Sequence, residues 1–196
     1  MRDLQSDHSA TFHFTEGEID SAPGPGVANF FEGPYYSYYN WPRARDDDGS
    51  TISEAYEQLL DVIETDGPFD AVIGFSHGGT LACGFIAHWT KQHPYENPPF
   101  RCAVFFNSLP PFVVERDGEF VFERGLKGCV NIPTLHVVGR EDFIYEHSLK
   151  LYQVCEEKSA TLILHEKGHE IPSEPKILKK VTAAMRGLSH RIMFMS

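Results

Sequence analysis

Short apolar runs alternate with amphipathic segments along most of the chain, and turn residues separate them. The apolar runs that are typical of buried strands are "FDAVIGFS", "FRCAVFFNS", "IPTLHVVGRED" and "ATLILHEKGHE". The segments with helical spacing are "DDDGSTISEAYEQLLDVIETDGPFD", "HGGTLACGFIAHWTKQ", "DFIYEHSLKLYQVCEEK" and "SEPKILKKVTAAMRGL". Because strands alternate with helices, the pattern predicts an α/β fold with a mainly parallel sheet and helices on both faces.

Local signals predict two smaller features. The polar and apolar alternation of "ATFHFTEG" (10–17) is typical of a strand. In "PPFVVERDGEFVFERGLKG" (110–128), the dipeptide Asp117-Gly118 indicates a hairpin turn between two apolar pieces. An irregular excursion above the sheet is the alternative for this second segment.

Composition limits the protein to a few broad classes. With 196 residues, of which 41% are hydrophobic, the chain suits a single folded domain over residues 1–196. A formal net charge of -11 argues against nucleic acid as a partner, because binding to phosphates requires clustered Lys and Arg. No apolar run reaches the roughly 20 residues of a membrane span, so we expect no membrane association.

The cysteines and the first residues predict where the protein is located. The four cysteines are scattered without a CxxC pair, which favours reduced thiols in an intracellular protein. The opening segment "MRDLQSDHSATF" is too polar for a secretory signal peptide. We therefore expect a cytoplasmic protein.

The segment "AVIGFSHGGTLA" (71–82) contains the pattern GxSxG between a predicted strand and a predicted helix. In that setting the pattern is typical of a nucleophile elbow, a sharp turn that exposes the serine hydroxyl and directs the next N–H toward an oxyanion. Ser76 is then the candidate nucleophile, and the backbone N–H of His77 is the candidate oxyanion donor. Gly74 and Gly78 would leave room for the turn. The alternative is a serine in a glycine-rich loop.

A serine nucleophile requires a histidine base and a carboxylate, which follow such an elbow in the order carboxylate, then histidine. Asp142 lies three residues after Gly139, the last residue of the predicted strand "TLHVVG". Glu141 is the fallback carboxylate. An N-cap for the next helix is the alternative role of Asp142. His169 lies on the loop after the last predicted strand, whereas His165 lies on the strand side and is a weaker candidate.

The same region also contains a metal motif. "HEKGH" (165–169) matches HExxH, in which two histidines one helical turn apart bind zinc and the glutamate acts as base. That geometry requires a helix, but the motif follows a β-rich run, contains Gly168 and precedes Pro172. A zinc peptidase is therefore the least favoured alternative, and we expect neither a metal nor another cofactor.

Beyond these motifs, the sequence resembles the fungal serine hydrolase family, a branch of the α/β-hydrolases that includes esterases and polyketide-releasing thioesterases. The resemblance depends on "FTEGE", "APGPG", "GPFDAVIGFSHGG", "PTLHVVGRED" and "LHEKGHEIP", which occur in the family's order from about residue 12 to residue 172. It implies an α/β-hydrolase fold in which Ser76 is the nucleophile, His169 the base and Asp142 the orienting carboxylate.

Members of this family open with a buried strand and a His-Gly-rich loop that donates a second oxyanion N–H. This chain opens with "MRDLQSDHSA", which resembles the tail of the helix after that loop. The resemblance therefore implies an N-terminally shortened α/β-hydrolase, in which the second oxyanion donor is either missing or supplied by another segment or a partner chain. Because loss of one donor typically costs about 10²–10³ in rate, a catalytically impaired relic that acts as a binding protein is the alternative to an active enzyme.

Aromatic residues cluster before the helix that precedes the elbow: Phe30, Phe31, Tyr35, Tyr36, Tyr38, Tyr39 and Trp41. One hypothesis is an apolar wall for an acyl chain, and core packing is the alternative. The candidate substrate-binding residues are Tyr36, Tyr39, Trp41 and Leu109.

These observations predict a serine esterase or thioesterase that cleaves a carboxylic ester or acyl thioester through an acyl-enzyme on Ser76. The resemblance implies a role in polyketide or other secondary-metabolite biosynthesis. The substrate would be a small-molecule or carrier-bound acyl compound, and the acyl-carrier domain of a synthase is the candidate protein partner. A homodimer is left open.

Overall fold

The structure is a computed structural model that describes residues 2–24, 27–29, 31–155 and 158–194. Its helices are α1 Arg2–Ser6, α2 Ser50–Asp66, α3 His77–Gln92, α4 Tyr145–Val154 and α5 Pro175–Met193. Its strands are β1 Ile19–Asp20, β2 Tyr36–Ser37, β3 Ala71–Phe75, β4 Cys102–Phe106, β5 Phe112–Val114, β6 Phe120–Phe122, β7 Thr134–Gly139 and β8 Ala160–His165. Every segment with helical spacing forms a helix, and every buried apolar run forms a strand. Phe30, one of the clustered aromatic residues, lies outside the described residues.

The chain divides into two compact units. The larger unit consists of Met1–Thr11, Pro68–Pro111 and Phe122–Ser196. The smaller unit consists of Phe12–Gly67 and Phe112–Val121. The single domain over residues 1–196 stays a prediction.

The central sheet of the larger unit is parallel, with the strand order β3-β4-β7-β8. Phe75 at the end of β3 pairs with Phe106 at the end of β4, and Phe106 pairs with Val137 near the end of β7. Gly139 at the end of β7 pairs with His165 at the end of β8. The carboxyl ends of these strands therefore meet along one edge, and the loops that follow them start side by side.

Helices cover both faces of this sheet. On one face, Val181, Leu188 and Ile192 of α5 form a buried cluster with residues of β4 and β7. In β7 this cluster includes Leu135 and Val137. Since side chains of a strand alternate between faces, His136, which lies between them, points to the other face. There its ring lies 5.3 Å from the ring of Tyr152 in α4. The predicted α/β fold with helices on both faces is confirmed.

A hairpin forms at the Asp117-Gly118 dipeptide, as the sequence predicts. β5 and β6 form a separate two-stranded sheet. The N–H of Glu115 donates to the carbonyl of Glu119 at 2.9 Å across the turn. Gly118 has a φ of 87°, a left-handed conformation that glycine adopts without steric cost.

The predicted strand over residues 10–17 is not formed. Instead, a strand of two residues, β1, pairs antiparallel with β2. Side chains bind two carbonyls of this stretch, since Tyr38 Oη donates to Thr15 O at 3.2 Å and Gln58 Nε2 donates to Glu16 O at 3.3 Å. An alternating pattern therefore marks an extended segment here, but not a ladder.

The four cysteines are free thiols. Cys83, Cys102 and Cys155 are buried, and Cys129 is partly exposed. Burial raises the pKa of Cys102 to about 11 and that of Cys155 to about 12. Both thiols are therefore protonated and weakly nucleophilic near neutral pH.

No helix in the described part of the chain is long and apolar enough to cross a bilayer.

Candidate active site

Ser76 lies at a sharp turn between β3 and α3. Its φ and ψ are 51° and -118°, a conformation that residues other than glycine rarely adopt. A Cβ on Gly74 would overlap the Cα of Gly79 and lie 2.6 Å from the carbonyl carbon of Gly78. A strand, a serine with positive φ and a helix in succession have the geometry of a nucleophile elbow.

Glycines at this turn allow the close approach of β3 and α3. Gly74 is needed for the close approach, as predicted. Gly79 is a second crowded position, which the GxSxG pattern does not mark, and a Cβ there would overlap the Oγ of Ser108. The contact between β3 and α3 therefore involves Gly79 as well as the glycines of the GxSxG pattern.

Ser76, His169 and Asp142 form a continuous chain of hydrogen bonds. The Oγ of Ser76 lies 2.9 Å from Nε2 of His169, and Nδ1 of His169 lies 2.9 Å from Oδ2 of Asp142. The three residues follow β3, β8 and β7, so the carboxyl edge of the sheet brings them together. The side chain of Asp142 is fully buried, and that of His169 is 14% exposed. Such an arrangement can transfer the serine proton to the imidazole.

Asp142 uses its two carboxylate oxygens for different partners. Oδ1 accepts a hydrogen bond from the N–H of Ile144 at 2.9 Å, while Oδ2 contacts His169. The N-cap of α4 is Ile144, so Asp142 is not itself the cap. The backbone bond fixes the carboxylate and directs its second oxygen at the imidazole. Glu141, the fallback carboxylate, has an exposed side chain.

Two phenylalanine rings flank His169, and sequence reasoning missed both. The ring of Phe75 lies 5.0 Å from the imidazole, and the ring of Phe143 lies 4.8 Å from it. Phe143 is 69% exposed, and nearby in the chain Ile171 is 43% exposed. Their positions in the sequence could have identified them, because Phe75 directly precedes Ser76 and Phe143 directly follows Asp142.

The HExxH segment does not have the geometry of a zinc site. His165 is the last residue of β8, and the residues that follow it up to His169 form turns rather than a helix. The two histidines therefore do not lie one turn apart on a helix, as the zinc interpretation requires. His165 is 2% exposed, and its Nδ1 accepts a hydrogen bond from the N–H of Lys167 at 3.3 Å.

His77 is the first residue of α3. Its backbone N–H therefore lies at the N-terminus of a helix, where the partial positive charge favours an anion. Burial lowers the pKa of its imidazole to about 4. The side chain is thus neutral near pH 7, and the stabilisation of an oxyanion would come from the backbone.

The candidate substrate-binding residues lie in two parts of the chain. Tyr36, in β2, is 41% exposed, whereas Tyr39 is 2% exposed. The ring of Trp41 packs edge-on against Tyr39 at 5.8 Å and against Phe112 at 5.0 Å. These aromatic residues belong to the smaller unit.

Leu109, in the larger unit, follows β4 and is 4% exposed. Its carbonyl accepts a hydrogen bond from Thr80 Oγ1 of α3 at 2.9 Å. The substrate-binding role of Leu109 and of the three aromatic residues stays a prediction.

Comparison with known proteins gives relatives that share most of the chain. It is 41% identical over 200 residues to hydrolase phiM of Talaromyces stipitatus, an alignment that covers 97% of this chain and 79% of that protein. It is 31% identical over 178 residues to esterase FPY3 of Fusarium mangiferae, covering 88% of this chain and 78% of that protein.

Solved structures with the same fold are more distant. A carboxylesterase from Mesorhizobium loti superimposes with a TM-score of 0.55 at 16% identity, covering 88% of this chain and 73% of that one. A fungal esterase from Rhizomucor miehei also gives a TM-score of 0.55, at 12% identity, and covers 76% of this chain and 62% of that one. These likenesses support the α/β-hydrolase fold. A family model described as serine hydrolase (FSH1) matches residues 1–181, and the chain therefore belongs to this serine hydrolase family.

Proposed function

We propose that this protein hydrolyses a carboxylic ester or an acyl thioester through an acyl-enzyme on Ser76. The observation that carries the proposal is the chain of hydrogen bonds from Ser76 Oγ through His169 to Asp142, with 2.9 Å at each link. Membership of a serine hydrolase family supports the same chemistry. Of the relatives, one is named an esterase and one a hydrolase.

In the first half of the reaction, the Oγ of Ser76 attacks the acyl carbonyl carbon, and its proton passes to Nε2 of His169. Asp142 holds the Nδ1–H of the resulting imidazolium. The negative charge on the former carbonyl oxygen faces the N–H of His77. The tetrahedral intermediate then collapses, and His169 returns the proton to the leaving alcohol or thiol.

In the second half, a water molecule attacks the acyl-enzyme. His169 removes one proton from this water, the second intermediate collapses, and the proton returns to Ser76 Oγ as the carboxylic acid leaves. One water is consumed for each ester or thioester bond that is broken.

An apolar acyl group suits the surroundings of His169. The exposed rings of Phe75 and Phe143 lie against the imidazole, and Ile171 follows two residues after it. A substrate that covers these side chains removes apolar surface from water, which contributes about 25 cal/mol per Å². We therefore propose an apolar acyl chain rather than a small polar one.

The biological setting comes from the family resemblance rather than from the geometry. We propose release of an acyl product in secondary metabolism, with an acyl-carrier domain as the partner that presents the substrate. A cytoplasmic location and a homodimer stay predictions from the sequence.

A fluorophosphonate probe tests the proposal directly. We expect it to label the wild-type protein and not the Ser76→Ala variant, because the reagent reacts with an activated serine hydroxyl. Ser148→Ala is the matched control, since Ser148 is a serine that is only 1% exposed and lies in α4. It should label like the wild type.

A substrate panel then separates the two bond types. Octanoyl and acetyl esters of p-nitrophenol are compared with the corresponding thioesters of N-acetylcysteamine. Labelling with turnover of one set assigns the bond that is cleaved. A folded wild-type protein with neither labelling nor turnover contradicts the proposal and favours the binding-protein relic.

A further inference from the structure

Asn107 occupies a central place at the carboxyl edge of the sheet. It directly follows β4, which lies between β3 and β7 in the strand order. Its side chain is fully buried, and its φ is 42°, which Asn tolerates better than most residues. Its backbone N–H donates to the carbonyl of Val137 in β7 at 3.0 Å. A polar side chain at such a buried position requires partners.

The side-chain amide of Asn107 binds both segments that carry the partners of Ser76. Oδ1 accepts a hydrogen bond from the N–H of Gly139 at 2.8 Å. Gly139 ends β7, three residues before Asp142. On its other side, Nδ2 donates to the carbonyl of Glu170 at 2.8 Å and lies 3.5 Å from the carbonyl of Gly168. These two carbonyls flank His169 in the chain.

A backbone hydrogen bond also joins Ser76 to the end of β4. The N–H of Ser76 donates to the carbonyl of Phe106, the residue before Asn107, at 2.9 Å. The end of β4 therefore contacts the segments of all three residues in the Ser76–His169–Asp142 chain of hydrogen bonds.

A side-chain amide provides both the acceptor and the donor that these contacts require. One side faces an N–H and requires an acceptor, while the other side faces carbonyls and requires a donor. Aspartate has no donor for the carbonyls, and alanine has neither group. Because the group is buried, a lost partner is not replaced by bulk water.

We propose that Asn107 is a positioning residue that sets the distance between Asp142 and His169 and thereby keeps the imidazole aligned with Ser76. The proposal rests on the function proposed above. Asn107 does not touch the reacting atoms, so it acts only through the two loops.

Two variants test this role. Asn107→Ala removes both contacts, and Asn107→Asp keeps an acceptor for Gly139 while removing the donor to Glu170. For octanoyl ester hydrolysis we expect kcat to fall by about 10- to 100-fold in Asn107→Ala, because misplacement of catalytic groups by about 1 Å costs up to about 10² in rate. KM should change by less than about threefold, since ground-state binding is not the target.

Thr134→Ala is the matched control for a loss of buried hydrogen bonding. Thr134 is fully buried, and its Oγ1 lies 3.0 Å from Nε2 of His136. It begins β7 at the end opposite Gly139, roughly 17 Å away at about 3.3 Å per residue. We expect this variant to lose stability without loss of kcat. An equal loss of kcat in Thr134→Ala, or an unchanged kcat in a folded Asn107→Ala, overturns the proposal.

Proton NMR provides a readout that needs no turnover. The proton between His169 Nδ1 and Asp142 Oδ2 should resonate far downfield in the wild type, and we expect Asn107→Ala to shift or broaden it while Thr134→Ala leaves it in place. The resonance decides the matter even if the wild-type protein proves inactive, in which case the proposed function fails separately.

If neither variant folds, the wild-type protein still gives an answer. The side-chain amide protons of Asn107 should exchange slowly with solvent, because carbonyls hold them in a buried site. Rapid exchange overturns the proposal.

Discussion

The two sides of the site are held by different forces. At the elbow around Ser76 close packing dominates, because the backbones of Gly74 and Gly79 touch, and one backbone hydrogen bond joins Ser76 to Phe106 of β4. The loops that carry Asp142 and His169 are instead joined by hydrogen bonds, among them those of the buried amide of Asn107. The packing of the turn therefore depends mainly on residues of β3 and α3, whereas the two loops also depend on a residue that is distant from them in the sequence.

The loop side should show the largest effect on catalysis. Asp142→Asn keeps an oxygen that can accept from the N–H of Ile144 but removes the carboxylate from His169. We expect kcat for ester hydrolysis to fall by about 10⁴-fold, because the imidazole loses its orienting anion. Steady-state kinetics measure this fall, and circular dichroism checks that the fold is intact. A decrease in kcat of less than about tenfold would mean that Asp142 only stabilises the turn before α4.

The elbow side should show the largest effect on stability. Gly74→Ala places a Cβ where the Cα of Gly79 now lies, so we expect the free energy of unfolding to fall by about 3 kcal/mol or more. Urea denaturation measures the change. Gly187→Ala is the control in α5, where a Cβ would meet nothing within 4 Å, and it should stabilise the protein by about 1 kcal/mol. Equal effects at both glycines would contradict a steric elbow.

The strand that leads to Asp142, β7, should also make stability depend on pH, because it contains the buried His136. Burial lowers the pKa of His136 to about 3, whereas it is about 6.5 in the unfolded chain. As pH falls from 7 to 5, the unfolded state binds a proton that the folded state does not. The free energy of unfolding therefore decreases, by up to about 1.4 kcal/mol per pH unit.

The variant His136→Phe checks this slope, because phenylalanine packs between the rings of Phe105 and Tyr152 and does not titrate. We expect a shallower dependence of the unfolding free energy on pH between 7 and 5. Urea denaturation at several pH values measures it. A slope equal to that of the wild type contradicts the assignment.

The smallest effect concerns the rings beside His169. Phe143→Ala removes apolar surface that an acyl chain would cover, so we expect kcat/KM for octanoyl esters to fall by about fivefold, or about 1 kcal/mol. Acetyl esters should be affected less. Tyr95→Ala is the control, since Tyr95 is fully exposed and lies in the turn after α3. A uniform loss for both acyl lengths would place the role of Phe143 in support of the imidazole rather than in substrate binding.

The elbow could be predicted because apolar spacing marks β3 and α3, and because three short-range positions define the turn. The family could be recognised from the motifs around Ser76, Asp142 and His169, and it is confirmed. The roles of these three residues stay predictions, although the structure brings them within hydrogen-bond distance.

Other features depend on contacts that no local pattern reveals. The bond from Asn107 to Glu170 joins residues 63 positions apart, and a single asparagine after a strand does not indicate its partners. The alternation over residues 10–17 predicts a strand, but side chains rather than a partner strand bind the carbonyls of Thr15 and Glu16. Gly79 was missed because its contact is with Ser108, on another element of the fold.

The parallel sheet has a consequence for how the protein folds. Parallel neighbours cannot be joined by a tight turn, so each pairing waits for a long crossover to close, and such contacts form slowly. Ser76 and His169 are 93 residues apart and become adjacent only after β3, β4, β7 and β8 have assembled. The recovery of Ser76 reactivity during refolding therefore reports when the sheet is complete. After dilution from denaturant, fluorophosphonate labelling should recover later than the helical signal in circular dichroism. The delay between the two measures how long the sheet takes to assemble.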